Sequence, residues 1–392
     1  MAIDQATLER IQNWLREREP DMLALLERIV NIDSGSYNKA GVDAVGDALR
    51  VFFEGEGIET QTIPVEGHGD ALRAVVSAGS GQSNRPIMLL GHRDTVFPDG
   101  EVARRPFKIV DGRAYGPGVA DMKAGVVMNA FVLAAFSKFG GAPAPLVGLF
   151  TGDEEIGSPT SRPIIENEAR QARAVFNSEP GRPTGNVVTG RKGGMFFAAE
   201  IEGVAAHAGG SYEKGRSAIE ELARKIQAWH KLVDLDAGIT VNVGLISGGQ
   251  SVNTVAPEAR CEIDVRYVNS EDRAGILARI EAVATACSVP DTRGTVRLRS
   301  EFKPLMSTAA SNAVFEHYVA MSKKLGVTVE GEFSGGCADS GFTAGVGTPT
   351  LCATGPVGGN AHSPEEYLEV ASIVPRAQAL ALSIARADSL VV

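Results

Sequence analysis

The sequence predicts an α/β protein built on a mostly parallel sheet, with a second domain of ferredoxin-like β-α-β-β-α-β order inserted into it. Three observations point there. First, "PIMLLG" (86–91), "PLVGLFTG" (145–152) and "ARAVFNS" (172–178) are unbroken apolar runs rather than alternating ones. Such runs belong to strands covered on both faces, and the helical stretches between them make parallel crossovers. Second, the middle of the chain switches to alternating strands in a different order. Third, 392 residues exceed what one hydrophobic core usually serves.

Taken in order, residues 5–32 read as a helix, with Leu8, Ile11, Leu15, Leu23, Leu25, Leu26 and Ile29 spaced mainly at three and four. "KAGVVMNAFVLAAFSKF" (123–139) is a strongly apolar helix that follows an Asp-containing turn. "MFFAAEIEG" (195–203) alternates as a half-buried strand, and a helix of about 213–233 follows it. Two strands, 239–248 and 259–268, a helix of 271–287 and a strand at 295–301 close the set. That is the ferredoxin-like order. The expected division is therefore 1–191 with 302–392 for the main domain, and 192–301 for the insertion.

Composition removes several classes of function. A formal net charge of −10, without a cluster of Lys and Arg, argues against a nucleic-acid partner. Cys261, Cys287, Cys337 and Cys352 are widely spaced, which fits neither a zinc-thiolate site nor a disulfide framework. The charged N-terminal stretch lacks the apolar core of a secretory signal, and no apolar run approaches the ~20 residues a membrane span needs. The expectation is a cytoplasmic protein with no membrane partner.

The residues able to carry chemistry stand in five Gly- or Pro-punctuated segments. These are "GHRDTV" (91–96), "GPGVADMKAG" (116–125), "TGDEEIGS" (151–158), "NSEP" (177–180) and "NAHSPEEY" (360–367). Each alone has an ordinary structural reading: a strand-end histidine, a helix cap, a solvated acid pair. Together they place several carboxylates at strand ends, where they repel one another unless a cation holds them. Two histidines with three or four carboxylates, and no cysteine, suit one or two divalent ions such as Zn²⁺, with Co²⁺ or Mn²⁺ as alternatives. Asp94, two residues after His92, is placed to accept the other ring N–H. In the Glu154-Glu155 pair, one carboxylate can bind metal while its neighbour acts as a base.

These five segments, in this order and spacing, resemble the M20 metallopeptidase family, and "VADMKAG", "DVRY" and "HSPEEY" are similar to its glutamate carboxypeptidase branch. The resemblance implies a zinc-peptidase catalytic domain with an inserted lid and dimerisation domain, hence a homodimer. It implies two Zn²⁺ ions, with Asp121 bridging them and a cis peptide after it. His92 and Glu179 complete one site, and Glu155 and His362 the other. Glu154 matches the general base, Asp94 the residue that orients His92, and His207 a lid histidine that reaches the partner subunit's site. Asn253 and Arg266 match lid residues that hold a substrate carboxylate.

The implied activity is hydrolysis of an amide by a metal-activated water, releasing a C-terminal, glutamate-like amino acid from a peptide or N-acyl conjugate. The alternative is an N-acyl-amino-acid deacylase or another C–N amidohydrolase of the same family. Two departures from the family pattern bear on specificity. Arg216 stands where relatives carry Asn, and Cys337-Ala338 alters a Gly-rich loop. His68, His230 and His317 lie outside any motif and read as structural or surface residues.

Overall fold

The computed structural model describes residues 3–79 and 83–389. It divides into a larger unit (Met1–Gly190, Ser307–Ser334, Ala338–Val392) and a smaller one (Arg191–Met306, Gly335–Cys337). The larger unit holds an eight-stranded sheet whose middle is parallel: Leu146–Thr151, Ile87–His92, Ala174–Asn177 and Thr350–Cys352 lie side by side in that order. Antiparallel strands flank this middle, with Glu59–Ile63 and Ala71–Val76 on one side and Val187–Arg191 on the other. The first three parallel strands are buried at every position, which is why their sequences run apolar without alternation.

The segment expected as one helix at 5–32 is two, Gln5–Glu17 and Glu19–Val30. The break falls at Arg18, and Pro20 stands in the first turn of the second helix. Proline has no N–H to donate back along a continuing helix but is tolerated in a first turn. In the insertion, the helix expected from 213 begins instead at Ala218, because Ser217 caps it by accepting from the Glu220 N–H (3.2 Å).

The helix Ala124–Lys138 is apolar on all sides, and all but its last two residues are buried, as for a helix at the centre of a core. The helices Gln5–Glu17, Glu19–Val30 and Ile373–Ala385 pack around it. Counted with the helical turn before it, Val119–Lys138 is long and apolar enough to cross a membrane, contrary to the sequence expectation, but 94% of its apolar stretch is buried inside the protein. Its start is pressed onto the sheet. A Cβ on Gly125 would stand 1.9 Å from the Ser178 carbonyl oxygen, so only glycine lets the helix approach the strand end there.

The smaller unit has one antiparallel sheet in the order Thr240–Gly248, Glu258–Tyr267, Gly193–Glu202, Arg293–Phe302. Numbered along the chain, that order is 2-3-1-4, with the helices Ala218–His230 and Asp272–Thr285 supplying the crossovers. Met195, Phe197, Ala199 and Ile201 alternate inward and pack with Leu222, Trp229, Ile276 and Ile280 into a separate core.

Gly125→Ala is predicted to cost about 1–3 kcal/mol, because backbone must shift to admit the methyl group. Urea unfolding of the variant checks this; an unchanged midpoint would contradict the tight packing.

Candidate metal centre

In parallel sheets, ligands gather at the carboxyl ends of strands. Three adjacent strands end here in His92, in Thr151 just before the Asp153-Glu154-Glu155 turn, and in Asn177 just before Glu179. The turn Val119–Lys123, non-helical at Asp121 and Met122, brings Asp121 over these ends, and the Asp121-Met122 peptide is cis. His362 arrives from the loop after Gly358–Gly359 with a left-handed φ of 63°, a backbone conformation few residues other than glycine adopt.

His92 is 1% exposed and sets the chemistry of the site. Its Nδ1 lies 3.1 Å from the Asp94 carbonyl oxygen and 3.4 Å from Asp94 Oδ1. Both neighbours can only accept, so Nδ1 carries a proton, and in the neutral ring Nε2 is the nitrogen left to bind a cation. Nε2 faces Asp121 Oδ1 at 3.3 Å, and Glu154 and Glu179 at 3.8 Å each. On the other side, His362 Nε2 lies 3.3 Å from Asp121 Oδ2 and 3.1 Å from Glu155 Oε2. Asp121 thus gives one oxygen to each histidine.

The donor set fits a pair of divalent cations. His92, Asp121 and Glu179 each offer one ligand atom within 4.8 Å of the others, and so do Asp121, Glu155 and His362. Bonds of about 2.0–2.1 Å in a tetrahedron place neighbouring donors about 3.3 Å apart. The closest pairs here, at 3.1–3.3 Å, already have that spacing.

The electrostatics agree. Burial pushes the Glu154 carboxyl well above its ordinary pKa, with Glu179, Asp339 and Glu155 adding repulsion that His92 only partly offsets. Glu155 is raised to about 7 by burial and by Asp121. Burial alone would lower the His92 pKa, but Glu154, Asp121 and Asp94 outweigh it and hold the ring well above its usual value. His362 is lifted to about 10 by Asp121 and Glu155. So many acids sharing protons with two histidines mark a centre short of positive charge.

Asp94 does more than face His92. Its oxygens accept from the backbone N–H groups of Glu154 (3.2 Å) and Glu155 (3.1 Å) and from Ser36 Oγ (2.7 Å), so one buried carboxylate fixes both the histidine and the acidic turn. Several supporting residues escaped the sequence reading. Glu366, inside "HSPEEY", accepts from the N–H groups of Gly118, Ala120 and Asp121 (2.8–3.1 Å) and so holds the turn that carries Asp121. Asp339 accepts from Ser158 and Thr151 beneath the acidic turn. Lys123 is fully buried and donates to the Ile32 carbonyl (3.1 Å); burial lowers its ammonium to about 7. For Glu366 and Asp339 the available signal was an acid beside a Gly-rich or Pro-containing turn.

The remaining sequence candidates belong to the smaller unit. His207 is exposed, and its Nδ1 accepts from the N–H groups of Gly209 (3.1 Å) and Gly210 (3.0 Å), which leaves the ring proton on Nε2. Asn253 stands beside it, because its carbonyl accepts from the Ala208 N–H (2.9 Å). Arg266 forks onto Asp264 through Nε and Nη2 (2.7 Å each) and directs Nη1 at Cys337 Sγ (2.8 Å). Arg216 spends its guanidinium on the Glu213 and Gly215 carbonyls and on Asp291.

Residues 88–386 match Peptidase family M20/M25/M40. The chain belongs to this family. It is a metallohydrolase of the M20 type, and the family binds divalent metal ions. It is 28% identical to carboxypeptidase G2 of Pseudomonas sp. (strain RS-16) over 367 residues, 92% of this chain and 87% of that one. It is 29% identical to succinyl-diaminopimelate desuccinylase of Paraburkholderia xenovorans (strain LB400), over 81% of this chain and 87% of the other. Among solved structures, the M20 family metallo-carboxypeptidase Sso-CP2 from Sulfolobus solfataricus shares the fold, with a TM-score of 0.77, 17% identity and coverage of 93% and 99% of the two chains.

The buried acids give a pH prediction. Burial raises Asp339 to about 8 and Glu366 to about 7. A group bound more tightly to its proton in the fold contributes stability that is present below its unfolded pKa and lost as pH rises through its folded one. The melting temperature of metal-free protein should therefore fall as pH rises from about 4 to 8, and Asp339→Asn should flatten the upper part of that fall. A melting temperature that rises across this window would contradict the assignment.

Proposed function

We propose that the chain is a di-zinc amide hydrolase that releases a C-terminal, glutamate-like amino acid from a peptide or N-acyl conjugate. The observation that carries this reading is the Asp121 carboxylate, with Oδ1 toward His92 and Oδ2 toward His362, both at 3.3 Å. On this reading His92, Asp121 and Glu179 hold one ion, and Asp121, Glu155 and His362 the other. Such a pair of cations supplies Lewis-acid polarisation of the scissile carbonyl and acidifies water.

Glu154 takes the proton of the attacking water and passes it to the leaving nitrogen. It is 6% exposed, and its raised pKa suits a group that must both accept and donate near neutrality. Asp94 holds His92 in the tautomer whose Nε2 can bind metal. His207 donates from Nε2 to the developing oxyanion in the site of a partner subunit; its Nδ1 bonds to the Gly209 and Gly210 N–H groups support that tautomer.

The smaller unit serves as the lid and dimerisation domain, spanning about 192–301 as the sequence divides the chain. In support, its edge strand Thr240–Gly248 exposes Leu245 (63%) and Ile246 (62%), an unpaired edge of the kind that a second copy covers. Arg266 and Asn253 hold the carboxylate of the released amino acid. Asp264 steadies the Arg266 guanidinium and leaves N–H donors on Nη1 and Nη2 for that carboxylate. An N-acyl-amino-acid deacylase uses the same ions and base and differs only in the acyl group.

Glu154→Gln should retain its zinc while kcat on a glutamate-terminated N-acyl substrate falls by about 10²–10⁴-fold. Metal analysis beside steady-state kinetics checks this, and near-normal turnover with intact metal would assign the base elsewhere.

A further inference from the structure

The larger unit holds a cleft of about 390 Å³ against the loop that carries His362, and none of the proposed catalytic groups lines it. It is built on a small antiparallel sheet in the order Gly358–Gly359, Tyr367–Glu369, Arg113–Tyr115, Lys108–Val110. In register, Lys108 stands opposite Tyr115 and Tyr115 opposite Tyr367. Opposed residues share a face, so these three side chains form one row. Arg113, two residues before Tyr115, adds a second cation on that face, opposite Glu369.

The cations are aimed rather than scattered. The Arg113 guanidinium lies over the Tyr367 ring (4.2 Å to its centroid) and is held from one side by Glu369 at 2.8 Å. Lys108 Nζ lies over the Tyr115 ring at 5.9 Å and makes no ion pair among the described residues. Arg105 closes the end of the cleft, bonded to the buried Glu101 and donating Nη1 to the Pro364 carbonyl (2.9 Å). Among the described residues that line the cleft, Glu365 is the one acid, and it is exposed. A wall of this charge stands out in a chain of net charge −10. Scattered surface cations would show neither the shared sheet face nor the arginines fixed from behind.

We infer that this cleft is an oxyanion subsite, which takes a carboxylate or phosphate between Lys108, Arg113 and Arg105. Guanidinium groups suit such oxyanions through paired, charge-assisted N–H donors. The source of the anion rests on the amide-hydrolase reading. That reading gives the carboxylate of the released amino acid to Arg266 and Asn253, so the larger unit's own cleft is left to an anionic end on the acyl portion. Asn360, at the rim, is two residues from His362, which ties the subsite to the reacting carbonyl through one loop.

Two measurements test this. Inorganic sulfate is titrated by calorimetry into zinc-loaded Glu154→Gln protein, with and without the further changes Lys108→Ala and Arg113→Ala. Sulfate should bind the first and bind the second at least about 10-fold more weakly, since two charged donors are lost. No binding to the first, or equal binding to both, overturns the subsite. In the otherwise native enzyme, kcat/KM should favour N-succinyl-glutamate over N-acetyl-glutamate by about 10-fold, and Lys108→Ala with Arg113→Ala should bring the ratio near one. A preference that survives these changes while sulfate binding is lost overturns the acyl assignment and makes the cleft a site for a free anion. If neither amide is cleaved, the hydrolase reading fails, and the sulfate titration still decides the subsite.

Discussion

Everything at the site turns on one carboxylate shared by two imidazoles. Asp121 faces His92 with one oxygen and His362 with the other, while Glu154, Glu155 and Glu179 crowd the same space. Carboxylates in a buried setting repel one another by several kcal/mol unless positive charge lies between them. Without that charge the acids rise in pKa and the histidines take up protons, the pattern seen at Glu154, Glu155 and His362. With the two proposed cations in place, the same groups would serve as ligands and a base. Charge shortage and metal affinity are one property seen from two sides.

The rest of the larger unit holds that carboxylate and its partners still. Glu366 braces the turn that presents Asp121, and Asp94 braces His92 and the acidic turn together. Arg93, the neighbour of both His92 and Asp94, points into the core and is itself 1% exposed. It donates to the carbonyls of Val42 (3.1 Å) and Asp70, and Gly46 makes room for it, since a Cβ there would stand 1.9 Å from Nη1. The strand end is thereby tied to the helix Lys39–Gly55. Burial lowers the Arg93 pKa to about 10 despite Asp43, Asp94 and Asp70, which leaves it charged at neutral pH.

Much of this was legible because periodicity and chain order are local properties. The unbroken apolar runs reported buried parallel strands, and the alternation of Met195, Phe197, Ala199 and Ile201 reported the one-sided sheet of the smaller unit. Three of the five acidic and histidine segments could be read because each sits at the end of such a run, and a fourth, 116–125, because it leads into the apolar helix Ala124–Lys138. What stayed hidden depends on long-range contact. Nothing near Arg93 in sequence announces Val42 and Asp70, and nothing near Glu366 announces the turn at 118–121. The break at Arg18 was hidden for another reason: its hydrophobic spacing runs straight through, and only Pro20 marked it. The sequence resemblance makes Arg266 a carboxylate-holding group but says nothing of the fork onto Asp264, which engages much of its hydrogen bonding within its own unit.

The proposed centre requires Asp121 to serve two ions at once, and metal content after zinc loading and gel filtration tests that most directly. The protein should carry two zinc ions per chain, Glu179→Ala should keep one, and Asp121→Ala should lose both. A native protein that binds a single ion, or an Asp121→Ala protein that still binds two, would contradict it.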